Sequence, residues 1–158
     1  GEFVLQICRK HPQVQATVLD LPVVCRVGRE HVQGHPEGSR IRFMEGDAFT
    51  GPLPAHCDLI SFKSMLHDWP NAHAQRLLDN ATAALAPGGT LLIFERSRID
   101  LSQTGLPWSL VPMLLFFRSF RPESFYEGYL RQLGYQDVKP IQIRLETPFI
   151  LVTARKPK

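Results

Sequence analysis

Cysteine is scarce in this 158-residue chain: Cys8, Cys25 and Cys57 are an odd count with no closely spaced pair. That excludes a disulfide framework and a zinc ribbon, and it points to a reducing compartment. Long apolar runs are missing too. The longest, Leu106 to Phe117, is interrupted by Ser109 and Pro112 and falls short of the roughly 20 residues that span a bilayer. Arg9 and Lys10 break the opening apolar stretch, so no signal peptide is read there. A large charge of one sign is also absent: 18 Lys and Arg against 15 Asp and Glu leave +3. The basic residues are scattered, which is not the footprint of a nucleic-acid binder. No internal repeat or low-complexity linker occurs. Apolar residues at 44% and charged residues at 21% are ordinary globular usage. At roughly 150 residues per domain the length predicts one domain, or one plus a fragment. The setting it predicts is cytoplasmic, with neither nucleic acid nor membrane as partner.

What is present is an alternation of helices and strands. Phe3, Val4, Ile7 and Cys8 recur at helical spacing up to His11-Pro12. Gln15–Leu19 reads as a short buried strand, and Pro22 opens a helix to about Val32, with Gly34 and Pro36 beyond its end. Ile41 and Phe43 alternate with arginines in a strand stopping at Gly46-Asp47, and Asp58–Phe62 forms another strand. Ala74, Leu77, Leu78, Ala81, Ala84 and Leu85 mark a helix halted by Pro87-Gly88-Gly89. Thr90–Phe94 then reads as a strand covered on both faces. The apolar stretch Leu106–Phe117, with Trp108, Phe116 and Phe117, is expected in the core or in a dimer or pocket wall. A helix opened by Pro122 carries Phe125, Tyr126, Tyr129, Leu130 and Leu133. Two strands, Val138–Ile143 and Phe149–Ala154, turn through Thr147-Pro148. This order predicts an α/β fold: a Rossmann-like, doubly wound, mostly parallel sheet with an antiparallel C-terminal hairpin. Because the chain opens directly on a helix, the first strand is expected upstream of Gly1.

In such sheets ligands bind beyond the carboxyl ends of the strands, which directs attention to four places. Asp20 follows the first strand. A carboxylate there accepts bonds from ribose hydroxyls about 20 residues after a glycine turn, with Gly1 as the last glycine of that turn; equally, it caps the helix at Pro22. Asp47, in Gly46-Asp47-Ala48-Phe49, either receives an exocyclic amine or is a turn residue. His67, in the run from Lys63 to Pro70, is either a general base for a hydroxyl proton or an ordinary loop residue. Glu95, ending the apolar strand, either orients the imidazole as the third member of a triad does or pairs with Arg96 or Arg98. No metal is read. His31 and His35 are four apart, but Gly34 and Pro36 break the helix that zinc ligation at that spacing requires, and His67 with His73 is a weak pair.

Taken together, Leu19-Asp20-Leu21-Pro22, Gly46-Asp47-Ala48-Phe49, Leu66-His67-Asp68-Trp69, Leu85-Ala86-Pro87-Gly88-Gly89 and Glu95 resemble class I S-adenosylmethionine-dependent O-methyltransferases. The subgroup is that of plant caffeate and flavonoid enzymes, acetylserotonin methyltransferase and bacterial polyketide-tailoring enzymes. The likeness runs from about Gly1 to Ala154. It implies that residues 1–158 are the catalytic domain of a longer, homodimeric enzyme whose N-terminal domain and glycine-rich loop lie outside this chain. It implies S-adenosylmethionine as cofactor, with Gly1, Asp20 and Leu21 at its loop and ribose, Asp47 and Ala48 at adenine, and Lys63 along the site. His67 would deprotonate a small aromatic hydroxyl acceptor, with Glu95 steering the ring. Phe120 stands where the family often has a second orienting glutamate. A carbon- or nitrogen-methylating enzyme of the same fold, or a degenerate, non-enzymatic module that binds cofactor weakly or serves for association, are the rival readings. Without the loop that cradles the donor, the isolated chain is expected to bind it weakly.

Overall fold

A computed structural model of the chain describes residues 1–98, 102, 108, 111–112, 120–145 and 147–158. Two compact units divide it, Gly1–Pro54 and Ala55–Lys158. In the first, helix α1 (Glu2–Lys10), strand β1 (Ala16–Asp20), helix α2 (Pro22–Val32), a 3-10 turn (Pro36–Arg40) and strand β2 (Ile41–Glu45) follow one another. The two strands pair in parallel, from Ala16 opposite Ile41 to Asp20 opposite Glu45, so Asp20 and Asp47 emerge at the same end. Leu5, Cys8, Val32 and Ile41 form the core, packed by Val4, Val18 and Phe43. The inward face of α1 is thus Leu5 and Cys8; Phe3, assigned to that face from spacing, is 39% exposed, because Leu5 and not Phe3 lies one turn from Cys8. Arg40 donates to the carbonyls of Cys8 (2.7 Å), Val14 (3.1 Å) and His11 (3.3 Å), satisfying groups that the end of α1 leaves without helical partners.

The second unit holds β3 (Cys57–Lys63), a 3-10 turn (Leu66–Asp68), α3 (Asn71–Ala84), β4 (Leu85–Arg96), α4 (Glu123–Gln132), β5 (Gln136–Arg144) and β6 (Pro148–Arg155). Its sheet runs β3-β4-β6-β5. The first pair is parallel and the others antiparallel, so the α/β class and the C-terminal hairpin are as read from the sequence. Pro140 is tolerated in β5 because that strand lies at the sheet edge. Helix α3 ends on Leu85, whose backbone is already extended, so β4 begins well before Thr90. Lys156 Nζ donates to the carbonyls of Thr82 and Leu85, each at 2.6 Å, placing a cation at the end of a helix whose last turn has none.

Strand β4 also departs from the expected cover on both faces. Leu91, Ile93 and Glu95 are fully buried while Leu92 and Phe94 are half-buried, the two-residue alternation of a strand with one inner face. That register, set by Leu91 and Ile93, carries Glu95 into the interior. Most of Leu106–Phe117 lies outside the described residues; Trp108, within it, is 89% exposed. No described helix is long and apolar enough to cross a membrane.

Two glycines give opposite expectations. A Cβ on Gly38 would lie 2.7 Å from the Val32 carbonyl oxygen, whereas one on Gly128 would meet nothing within 4 Å. Gly38→Ala should therefore destabilise the protein by about 1–3 kcal/mol through overpacking. Gly128→Ala, inside α4, should stabilise it by about 1 kcal/mol through helix propensity. Urea unfolding midpoints check both signs.

Candidate active site

The second unit contains the more organised constellation. β3 ends at Lys63, and Ser64 takes a positive φ of 51°, a conformation uncommon for non-glycine residues. Ser64 N–H donates to the Phe94 carbonyl at 2.9 Å. The chain thereby turns across the end of β4, where Glu95 waits. One carboxylate oxygen of Glu95 accepts the N–H groups of Met65 (2.8 Å) and Leu66 (2.7 Å). The other lies 2.6 Å from His67 Nδ1.

Glu95 is fully buried, and the His67 side chain is 12% exposed. Met65 and Leu66 donate to one oxygen of Glu95 and His67 Nδ1 faces the other; with the carboxylate ionised, Nδ1 is the nitrogen that carries the hydrogen. The proton-accepting position of the imidazole is then Nε2, with the exposed Asp68 carboxylate 3.5 Å from it. The alternative of a salt bridge from Glu95 to Arg96 or Arg98 is not what forms: Arg96 instead donates to Thr147 at 3.1 Å.

Three further groups complete the site. Phe120, 4% exposed, meets the His67 ring edge-on at 5.4 Å and 73°. Arg121, also 4% exposed, donates to Asn71 Oδ1 (2.8 Å), the Leu66 carbonyl (2.9 Å) and the Trp69 carbonyl. The Tyr126 hydroxyl is pushed up to about 12 by burial and then by the negative charge of Glu95, with Arg121 partly opposing. It stays protonated at neutral pH and is no base. A cleft of about 480 Å³ is lined by Phe120, Pro122, Phe125, Arg98 and Ser124. Arg121 and Tyr126 escape a reading by motif, since only their burial and distant partners distinguish them. The one local hint is an arginine beside the proline that opens α4.

The first unit brings Asp20 and Asp47 to one end of its strands: the Asp20 carbonyl accepts Gly46 N–H at 3.0 Å. Asp20 Oδ1 accepts the N–H of Leu21 at 2.8 Å, while Leu21 is the N-cap of α2 with no side-chain cap bond. The cap reading of Asp20 is thus not realised. Asp47 is a turn residue: its carboxylate accepts Phe49 N–H (2.9 Å) and the Thr50 hydroxyl (3.1 Å). Ala48 is half-buried in that turn, and Lys63 is exposed. A Cβ on Gly1 would face His31, Gly28 and Val32 of α2. A hollow of about 500 Å³ beside Arg26, Gln33, His35 and Phe43 is lined by none of the expected residues.

Comparison with known proteins gives a consistent result. A profile of the O-methyltransferase domain matches residues 1–136. The chain is 29% identical over 145 residues to the 3-hydroxy-5-methyl-1-naphthoate 3-O-methyltransferase of Streptomyces sahachiroi, covering 90% of this chain and 42% of that enzyme. It is 36% identical over 141 residues to the acetylserotonin O-methyltransferase of Macaca mulatta, covering 87% and 40%. Among solved structures, the S-adenosylmethionine-dependent methyltransferase SibL in its apo form superposes with a TM-score of 0.82 at 27% identity, over 98% of this chain and 47% of that one. Human N-acetylserotonin methyltransferase in complex with SAM superposes with a TM-score of 0.73 at 26% identity, over 96% and 43%. The chain spans less than half the length of each of these relatives. With the profile match extending over most of its residues, the chain belongs to the O-methyltransferase domain family.

Proposed function

We propose that the chain is the catalytic domain of a longer S-adenosylmethionine-dependent O-methyltransferase that methylates the hydroxyl of a small aromatic acceptor, with His67 as general base. The observation that carries this is the 2.6 Å contact between His67 Nδ1 and the fully buried Glu95. It leaves Nε2 as the basic nitrogen. A hydroxyl placed against Nε2 gives up its proton as its oxygen becomes nucleophilic, a contribution of roughly 10²–10⁴-fold. Glu95 holds the ring and stabilises the imidazolium that results. Bound S-adenosylmethionine supplies a methyl group already activated by the sulfonium charge, so the protein's part is alignment and removal of one proton.

The residues of the first unit suit the donor. Asp20 is half-buried at a strand end, its carboxylate accepts the neighbouring Leu21 N–H and performs no capping, and a carboxylate is the natural partner of a ribose diol. The Asp47–Phe49 turn would face adenine, and Lys63 would border the donor. Asp20→Ala in the full-length protein should weaken S-adenosylhomocysteine binding by about 10- to 100-fold, the loss of hydrogen bonds to a charged acceptor. Stability should change little, since no helix cap is removed. Calorimetry and thermal unfolding measure the two. A homodimer and a cytoplasmic setting belong to the same reading, to be checked by sedimentation of the full-length protein and by fractionation.

The decisive experiment is incubation of the full-length protein with S-adenosylmethionine and a panel of aromatic hydroxyl compounds, followed by mass spectrometry. Methyl ethers support the reading. Products methylated at carbon or nitrogen would replace it with the rival chemistry, and the absence of donor binding would assign the chain to a non-enzymatic role.

A further inference from the structure

The 3-10 turn that carries His67 has little to hold it by itself. Its internal bonds, Asp68 N–H to the Met65 carbonyl at 3.2 Å and Trp69 N–H to the Leu66 carbonyl at 3.3 Å, are long, and it is three residues in extent. Two buried groups of opposite charge grip it from outside. Glu95 takes the N–H groups of Met65 and Leu66. Arg121 takes the carbonyls of Leu66 and Trp69 and the Asn71 side chain at the start of α3. Leu66 is the shared point, its N–H on the carboxylate and its C=O on the guanidinium.

We propose that Arg121 is a positioning residue for methyl transfer: by fixing the carbonyl side of the His67 turn, it keeps the imidazole in the aim that Glu95 sets. The inference rests on His67 being the base. A guanidinium at 4% exposure is costly to bury, and apolar side chains of similar volume often serve stability as well or better. What the guanidinium adds is direction. Its rigid, planar fork of N–H groups reaches three points of one segment, which no ammonium or apolar chain can match. The guanidinium is itself braced, its carbon lying 5.0 Å from the Phe125 ring centre. The residue before it, Phe120, meets the other face of the problem by packing edge-on against His67.

The test uses the full-length protein carrying Arg121→Lys or Arg121→Ala, with His67→Ala alongside. Turnover, acceptor KM, donor affinity and the ¹⁵N resonances of the His67 ring are measured. Arg121→Lys is expected to lower kcat by about 10- to 100-fold, the penalty of a misplaced reacting group. Donor affinity and secondary structure should be unchanged and the His67 ring resonances broadened or shifted. Added guanidinium should restore part of the activity of Arg121→Ala and none of that of His67→Ala. A folded Arg121→Lys enzyme with wild-type kcat and unshifted His67 resonances would overturn the proposal. So would unfolding of both Arg121 variants, which would assign Arg121 to stability alone. If His67→Ala itself turns over normally, the base reading fails, a result separable from either of these.

Discussion

His67→Gln in the full-length protein should lower kcat for methyl transfer by roughly 10²–10⁴-fold, the usual contribution of a positioned base, and leave donor affinity unchanged. The separation follows from where the side chain acts. His67 is 12% exposed, and its Nδ1 is committed to Glu95, so the group removed is the proton acceptor at Nε2. Glutamine approximates the shape and retains a hydrogen-bonding end but cannot take up the proton. A parallel loss of donor affinity would mean that His67 holds the donor and not the proton. Rapid-quench turnover together with calorimetry distinguishes the two.

Changing Glu95 should have the second large effect, and two substitutions divide it. Glu95→Gln keeps the volume but replaces one acceptor oxygen by an amide that donates. Facing Nδ1, that amide favours the opposite tautomer, with hydrogen on Nε2, where no proton can be accepted; the equivalent change in a serine-protease triad costs roughly 10⁴-fold. A loss of about 10²–10⁴-fold in kcat is expected here. Glu95→Ala goes further, because it strips the acceptor from the fully buried Leu66 N–H and from the partly buried Met65 N–H and His67 Nδ1. At about 1–3 kcal/mol for each buried donor left unpaired, the protein should lose several kcal/mol and show a clearly lower Tm. Thermal unfolding of both variants, with kcat measured on whichever stays folded, checks the assignment. An active and fully stable Glu95→Ala protein would contradict it.

Much of this site is legible in the sequence because its strand ends are. Glu95 is legible as the carboxylate ending an apolar run, but that run reads as covered on both faces; only the folded strand shows Glu95 sharing the inner face of Leu91 and Ile93, where a carboxylate demands donors. The backbone of the 65–67 turn supplies them. Asp20 is legible for the same reason, as the residue where a strand gives way to Pro22. Other features have no local signal. Arg121 reaches partners 50 or more residues away, so only the folded chain reveals that it is buried and what it holds. Phe120 could be aligned with the missing second glutamate, yet its edge-on packing against the imidazole is a tertiary contact. The early start of β4 escaped because Pro87-Gly88-Gly89 reads as a turn. In the structure Gly88 N–H reaches the Lys156 and Pro157 carbonyls and Gly89 accepts Lys156 N–H, and that pairing depends on a strand far along the sequence. Phe3 and Leu5 exchanged roles because two overlapping helical spacings were available, and packing against Val32 and Ile41 chose between them.

The packing of Phe120 against His67 has a mechanistic consequence. With an aromatic edge at 5.4 Å the ring is fixed by contact and dried on one side, so orientation rests on Glu95 through Nδ1 and on the turn that both buried charges hold. Asp68, at 3.5 Å from Nε2 and 47% exposed, can attract the imidazolium once formed, but a screened surface pair of this kind contributes little.

The claim at the centre is that the imidazole of His67 is held as the tautomer with hydrogen on Nδ1 and a lone pair at Nε2. Two-dimensional ¹H–¹⁵N correlation of the selectively labelled ring, recorded at a pH where the ring is neutral, reads this directly. A pyrrole-type nitrogen at Nδ1 and a pyridine-type nitrogen at Nε2, exchanged by Glu95→Gln, is the predicted result; hydrogen on Nε2 in the unaltered protein would contradict it.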